Sequence, residues 1–339
     1  MIRKSPAIMN SPDKHRSAFS YSRLLPDALL AKLSHEYGLS AQARCRFHAA
    51  GQHDNYLVVD GAREYIARVY RKRRGSDDQM VFELEALNCL WNHTAPVANP
   101  LTALSTGQLF ISIAYPEGER AVALFNYAPG TPPGSAITPE QSQQLGRVVA
   151  GVHLQADRNF HPRHRQVLSL DYLLDASMAA VSGYLDNAQR AYLRRLQSDI
   201  RSKLPDIPLT PPFYGLCIGD VNPRNFHISP KGALTLFDFD QCGYGWRAFE
   251  VGKYFAAINN HPQSSQLVDA FLRGYDSVRV LLQHEILALP WLMMVADIWV
   301  MGLHAYNAEY LGAKFLDADF WARKIAVLEQ RERETGALL

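Results

Sequence analysis

The chain has 339 residues, 47% of them hydrophobic and 20% charged, with a formal net charge of +2. This is the composition of an ordinary globular protein, and the length predicts two lobes rather than one minimal core. The balanced charge excludes the broad basic footprint that nucleic-acid binding requires, and Cys45, Cys89, Cys217 and Cys242 lie too far apart for short-spaced zinc or redox motifs, so free thiols in a reducing cytoplasm are expected.

Residues 1–19 are polar and basic without a continuous apolar run, which predicts a flexible tail rather than a secretory signal. From Pro26 to Tyr37 apolar residues recur at helical spacing and stop at Gly38, which suits a helix end. The runs NYLVVDG, EYIARVY, LFISIAY and AVALFNY are rich in β-branched and aromatic residues and predict strands, with Asp60-Gly61 as a hairpin turn between the first two. Met80, Leu84, Leu87 and Leu90 share one face of a helix whose start is acidic. The basic run Arg71 to Arg74 is followed at once by Asp77 and Asp78 and reads as a solvated connection.

After Tyr127 the Pro/Gly-rich APGTPPGS marks a linker, and helical patterns dominate from there, with strands returning only around Phe226 to Phe239. The division predicted is a lobe over residues 20–127 and a helical lobe over residues 128–339. The apolar stretch from Ile286 to Leu303 is long enough to suggest a membrane span, but Pro290 and Asp297 interrupt it and a buried helix is expected, with no membrane partner.

Chemistry concentrates in GLCIGDVNPRNFHISPKGALTLFDFD, residues 215–240. A two-residue hairpin loop at Lys231-Gly232 would pair Ser229 with Leu234, Phe226 with Phe237, and Asn225 with Asp238 at the open end. Opposed strand residues have Cβ atoms about 5 Å apart, close enough for an amide oxygen and a carboxylate to share Mg²⁺. Asp220, five residues before Asn225, could accept the proton of an attacking hydroxyl. Taken singly, Asp220 as a turn cap and Asn225 as a bridge between backbone groups are the plainer accounts.

IGDVNPRN followed by DFD resembles the catalytic and metal-binding loops of the aminoglycoside phosphotransferase and choline kinase group, which includes bacterial homoserine kinases and a stress-response Ser/Thr kinase. The resemblance covers most of residues 20–260 and implies an α+β, two-lobed protein-kinase-like fold, with a small β-rich N-lobe and a larger helical C-lobe. It implies Asp220 as catalytic base and Asn225 and Asp238 as Mg²⁺ ligands. It further implies that Gly51 and Asn55 belong to a loop over the nucleotide, that Arg68 is the phosphate-binding cation, and that Glu83 is its partner, with Glu85 as the rival. The backbone from Phe125 to Tyr127 would meet adenine, and His153 would support the catalytic loop. Three positions depart from the family pattern: Ile218 stands for the usual His, Arg68 for the commoner Lys, and Glu250 for a bracing Asp.

The resulting expectation is an ATP- and Mg²⁺-dependent kinase for a hydroxyl of a small molecule, the resemblance implying an amino alcohol such as choline, a homoserine-like or an aminoglycoside-like acceptor. The alternatives are a stress-response Ser/Thr protein kinase and a catalytically silent nucleotide-binding regulator. The compact segment between Asp238 and Glu250 gives little room for docking a protein substrate. Asp175, Asp297, His304 and Glu309 are candidates to line an acceptor pocket, with helix surface or satisfied core as the plainer account of each, and His161 and His164 belong to a solvated basic cluster.

Overall fold

The computed structural model describes residues 21–71, 76–162, 164 and 166–338. The expected tail, Lys72 to Arg74 of the basic run, Arg163 and Arg165 of the His161 cluster, and the Glu309 side chain lie outside the described residues. Helix α1 (Pro26–Tyr37) starts on a proline, whose fixed φ suits the first turn, and ends at Gly38 with φ 64°. Strands β1 (Arg44–Ala50), β2 (Asp54–Asp60), β3 (Arg63–Val69), β4 (Ile111–Tyr115) and β5 (Gly118–Asn126) form an antiparallel sheet in the order β1-β2-β3-β5-β4. The Asp60-Gly61 turn forms, with Asp60 paired to Arg63. Strand β1 was not among the sequence expectations, because RCRFHAA carries three polar side chains and buries none of its seven residues.

Helix α2 (Ser76–Asn92) crosses between β3 and β4 in sequence. Its Met80, Leu84, Leu87 and Leu90 join the same apolar core as the helical lobe, whereas α1 packs with the other sheet residues in a separate cluster. Helix α2 therefore ties the sheet to the helices by shared apolar burial, the main favourable term in folding.

Beyond the linker, α3 (Pro139–Asn159) opens on a reciprocal capping box between Thr138 and Gln141. The helix-patterned segment from Leu170 to Leu204 is divided. A π-helical segment at Asp171–Ala176, α4 (Ser177–Val181) and a 3₁₀ turn precede α5 (Asn187–Lys203), which restarts on an Asp186 cap. Helices α6 (Arg247–Ile258), α7 (Ser264–Asp276), α8 (Gln283–Leu311) and α9 (Ala318–Leu338) complete the lobe. Helix α8 is long and apolar enough to cross a membrane, yet most of its apolar window is buried, against α4 and α6 among others.

Two corrections concern the strands of this lobe. Strands β6 (Tyr214–Cys217) and β9 (Gly243–Trp246) pair with each other, so strand structure is not confined to the 226–239 hairpin. In that hairpin, β7 (Phe226–Ile228) pairs with β8 (Leu234–Leu236) as Phe226 with Leu236, His227 with Thr235 and Ile228 with Leu234. The loop holds three residues, because the Ser229 amide donates to Ala233 O at 2.9 Å. Pro230 brings no amide hydrogen and Gly232 takes φ 79°, a geometry suited to the longer loop. Asn225 therefore faces Phe237, whose amide donates to its carbonyl at 3.0 Å, and Asp238 falls one residue beyond.

Candidate active site

Strand register sets the first half of the site. Asn55 and Arg68 are direct cross-strand partners on β2 and β3, and Asn55 Oδ1 accepts from Arg68 Nε at 3.3 Å. Arg68 then divides its guanidinium between two carboxylates, with Nη1 2.9 Å from Glu83 and Nη2 2.8 Å from Asp238. Phe125 lies beneath it, 5.5 Å from ring centre to guanidinium carbon. Glu83 is the partner and Glu85 is exposed, because residues two apart on a helix point to different sides. Burial pushes the Glu83 carboxyl up to about 7 although Arg68 and the Tyr70 hydroxyl oppose the rise. Burial disfavours the charge on Arg68, but Asp238 and Glu83 outweigh it and hold the guanidinium protonated.

Asp238 has φ 64°, in the left-handed region that a non-glycine residue enters only when its surroundings impose it. Its Oδ1 receives Arg68, while no described residue donates to Oδ2. Asn225 is oriented from the other side. Its Nδ2 donates to the Asp220 carbonyl at 2.9 Å and to Asp220 Oδ2 at 3.1 Å, which leaves Oδ1 as an acceptor without a donor among the described residues. Two hard oxygens, one amide and one carboxylate, are thus left available, a donor set that suits Mg²⁺. The register shift means that they are not a direct cross-strand pair; each is turned by a different neighbour, Asp220 for one and Arg68 for the other.

Asp220 belongs to the loop between β6 and β7, held from below by Glu250. The buried Glu250 carboxylate accepts from the amides of Ile218 and Gly219, both at 2.7 Å, and lies 2.9 Å from His153 Nε2. Burial raises Glu250 to about 7, against those amide donors, and drives His153 well below its usual range. His153 is wholly buried, with Tyr275 on its other nitrogen at 2.9 Å, as a structural residue should be. Ile218 is buried in the core and offers the brace its backbone amide, so the loop is held without the usual histidine side chain. Gly219 has φ 91°, and a Cβ there would stand 2.1 Å from Gln241 O. Only glycine fits that approach.

Sequence reasoning missed Lys253. Its Nζ is 2.5 Å from Asp220 Oδ1. Burial works to raise the Asp220 carboxyl, but the Lys253 charge and hydrogen bond, with Asn222 and Asn225, bring it below the usual value. The signal was legible as spacing: Lys253 follows Glu250 by three residues on α6, so a helix face that braces the loop with one side chain presents the next to the same loop.

Two cavities are lined in part by the hairpin segment and by the loop before it. One, of about 230 Å³, has Asn55, Arg68, Glu83, Phe125, Tyr127 and Asp238 in its wall. Gly51 is not part of that wall and has an ordinary φ, so nothing in the backbone demands glycine there. The amides of Asn126 and Tyr127 donate to Asn99 O and Glu64 O, both at 3.1 Å, so a ligand ring beside Phe125 to Tyr127 would meet amides already engaged. The other cavity, of about 760 Å³, is walled by Asp220, Asn225 and Lys253 together with Asp297 and His304 from α8. Asp175 is elsewhere, paired with Arg201 and with Gln197 Nε2 at 2.5 Å.

A sequence model of the "Phosphotransferase enzyme family" (APH) matches residues 44–285. An uncharacterized protein of Synechocystis sp. is 33% identical over 312 residues, covering 91% of this chain and 86% of its own. A microcompartment-associated aminopropanol kinase shares the fold at a TM-score of 0.75 and 22% identity, with 91% and 98% of the two chains covered. An amicoumacin kinase in complex with AMP-PNP, Ca²⁺ and Ami superposes at a TM-score of 0.73 and 21% identity, with 91% and 92% covered. The two structural likenesses establish the kinase-like fold, and the chain belongs to the phosphotransferase enzyme family.

Proposed function

We propose that this member of the phosphotransferase enzyme family transfers the γ-phosphoryl group of ATP to a hydroxyl of a small molecule. In this reading residues 20–127 bind the nucleotide and residues 128–339 carry the catalytic loop and the acceptor. The carrying observation is the position of Asp220, ionised by Lys253 at 2.5 Å and set in the wall of the 760 Å³ cavity. The amicoumacin kinase bound to AMP-PNP and Ca²⁺ supports ATP with a divalent cation as the phosphoryl donor.

Asn225 Oδ1 and Asp238 Oδ2 would hold Mg²⁺, which when bound supplies positive charge to the phosphate oxygens. Arg68, fixed by Glu83 and Asn55, presents further positive charge beside Asp238. Asp220 orients the acceptor hydroxyl toward the γ-phosphorus. A new bond forms from the acceptor oxygen to phosphorus, the bond to the bridging oxygen of the β-phosphate breaks, ADP leaves, and the hydroxyl proton passes to Asp220. A carboxylate held below its usual pKa is a weak base, so the proton moves late and positioning is its larger contribution.

A small acceptor is favoured over a protein because the segment after Asp238 folds straight into β9, which pairs with β6 and leads directly into α6. No long loop is left there to dock a polypeptide. The test is Asp220→Asn with labelled ATP over a panel of hydroxyl compounds. Transfer should fall by about 10²- to 10⁴-fold while ATP affinity is retained. Equal transfer by the variant would remove Asp220 from the mechanism, and ATP binding without transfer in either protein would favour a regulator.

A further inference from the structure

Resting on that reading, we propose that the acceptor is an anion, a hydroxyl compound bearing a carboxylate or a phosphate ester whose charge is received at Lys324, and not an amino alcohol or amino sugar. The 760 Å³ cavity holds four cationic side chains, Arg224, Lys253, Lys324 and Arg331, against two carboxylates, Asp220 and Asp297. Both carboxylates are already neutralised. Lys253 reaches Asp220 at 2.5 Å, and Arg331 Nε donates to Asp297 Oδ2. An ammonium group entering the cavity would find no carboxylate without a cation among the described residues, and would approach a wall of net positive charge.

The surplus cations are Arg224 and Lys324. Neither side chain has a carboxylate partner among the described residues. Arg224 is exposed on the catalytic loop between Asp220 and Asn225. Lys324 is half-buried on α9, with its ammonium 5.5 Å from the Phe320 ring centre. Burial lowers the Lys324 pKa, and the charge of Asp297 only partly offsets that effect. A partly dehydrated ammonium whose favourable carboxylate, Asp297, is already paired with Arg331 is a group whose charge an anionic ligand would stabilise. Arg331 belongs to the same cavity wall, 3% exposed, and its Nη1 has no hydrogen-bond acceptor among the described residues. Asn260, His304 and Asn307 add neutral polar groups to the same wall, suited to the remaining hydroxyls of a polyhydroxy acid.

The full chain is assayed with Mg-ATP on matched acceptors: glycerol, D-glycerate and glycerol 3-phosphate; glucose, gluconate and glucosamine; and kanamycin. The glycerate and glycerol 3-phosphate arms separate a carboxylate from a phosphate requirement. An anionic member should exceed its neutral and cationic analogues by about tenfold or more in kcat/KM, the scale of one hydrogen bond to a charged group. Lys324→Gln should raise KM for that acceptor by about tenfold with KM for ATP unchanged, and Lys324→Arg should recover most of the loss. The proposal is overturned if neutral or cationic compounds are the best acceptors, or if Lys324→Gln leaves the KM of the best anion unchanged. Transfer to no compound at all would instead count against the phosphotransferase reading. The anion site is then read by thermal shift with the same compounds: stabilisation confined to the anions and lost in Lys324→Gln supports it, and equal shifts in both proteins overturn it.

Discussion

Alone in its pocket Asp220 would be harder to ionise than a free aspartate, because burial disfavours the carboxylate; Lys253 at 2.5 Å reverses the direction. If Asp220 is the proposed base, transfer requires its ionised form, so activity should fall as pH drops through the Asp220 pKa. Lys253→Gln removes the charge and leaves the burial. The acid limb of kcat/KM should therefore move to higher pH, by about 1 to 3 units. A pH profile of the variant that overlays the wild type would show that Lys253 serves the fold and not the carboxylate. Glu250 illustrates how much of this was legible at the same scale. Its role as a brace was readable from its place in GWRAFEVGKY, but its longer reach is explained only by its three partners, Ile218 N, Gly219 N and His153.

At the scale of elements, side-chain periodicity foretold α1, α2 and α3, because each buries one apolar face, and α1 and α3 also end or begin on a recognisable cap. It failed on β1, whose exposed polar side chains carry no burial signal, and on the hairpin register, where one added loop residue moves the pairing. Close helix packing was also hidden. Helices α3 and α7 meet through Gly146 and Gly274, and a Cβ on Gly274 would stand 1.9 Å from Gln143 O. Backbone cannot yield as a flexible side chain does, so Gly274→Ala should destabilise the protein by about 1–3 kcal/mol. Gly336→Ala on α9, where the added methyl meets nothing within 4 Å, should instead stabilise by about 0.5–1 kcal/mol. Urea unfolding of the two variants checks both signs.

For the whole molecule, the Arg68–Asp238 ion pair joins the sheet to the helical lobe at 2.8 Å, in the wall of the 230 Å³ cavity. Nucleotide binding at this junction should stabilise both halves together. At about 100 times its dissociation constant, Mg-ATP should add about 2.7 kcal/mol to wild-type stability. Asp238→Asn should lose the part of that gain that depends on Mg²⁺ and keep the part given by ATP alone. Thermal unfolding with ATP, with and without Mg²⁺, separates the two, and an unchanged Mg²⁺ increment would take Asp238 out of the metal site.

The residues proposed to carry the chemistry could be named from the sequence, Asp220, Asn225 and Asp238 from their spacing in residues 215–240 and Arg68 and Glu83 from the family resemblance. The Lys253 contact, the turn of the Asn225 amide, and the charge of the large cavity were decided only by tertiary structure. That charge is set by helices α6, α8 and α9 and the catalytic loop, segments far apart in the chain. Whether a carboxylate there is free or already paired depends on their packing, which no local pattern records.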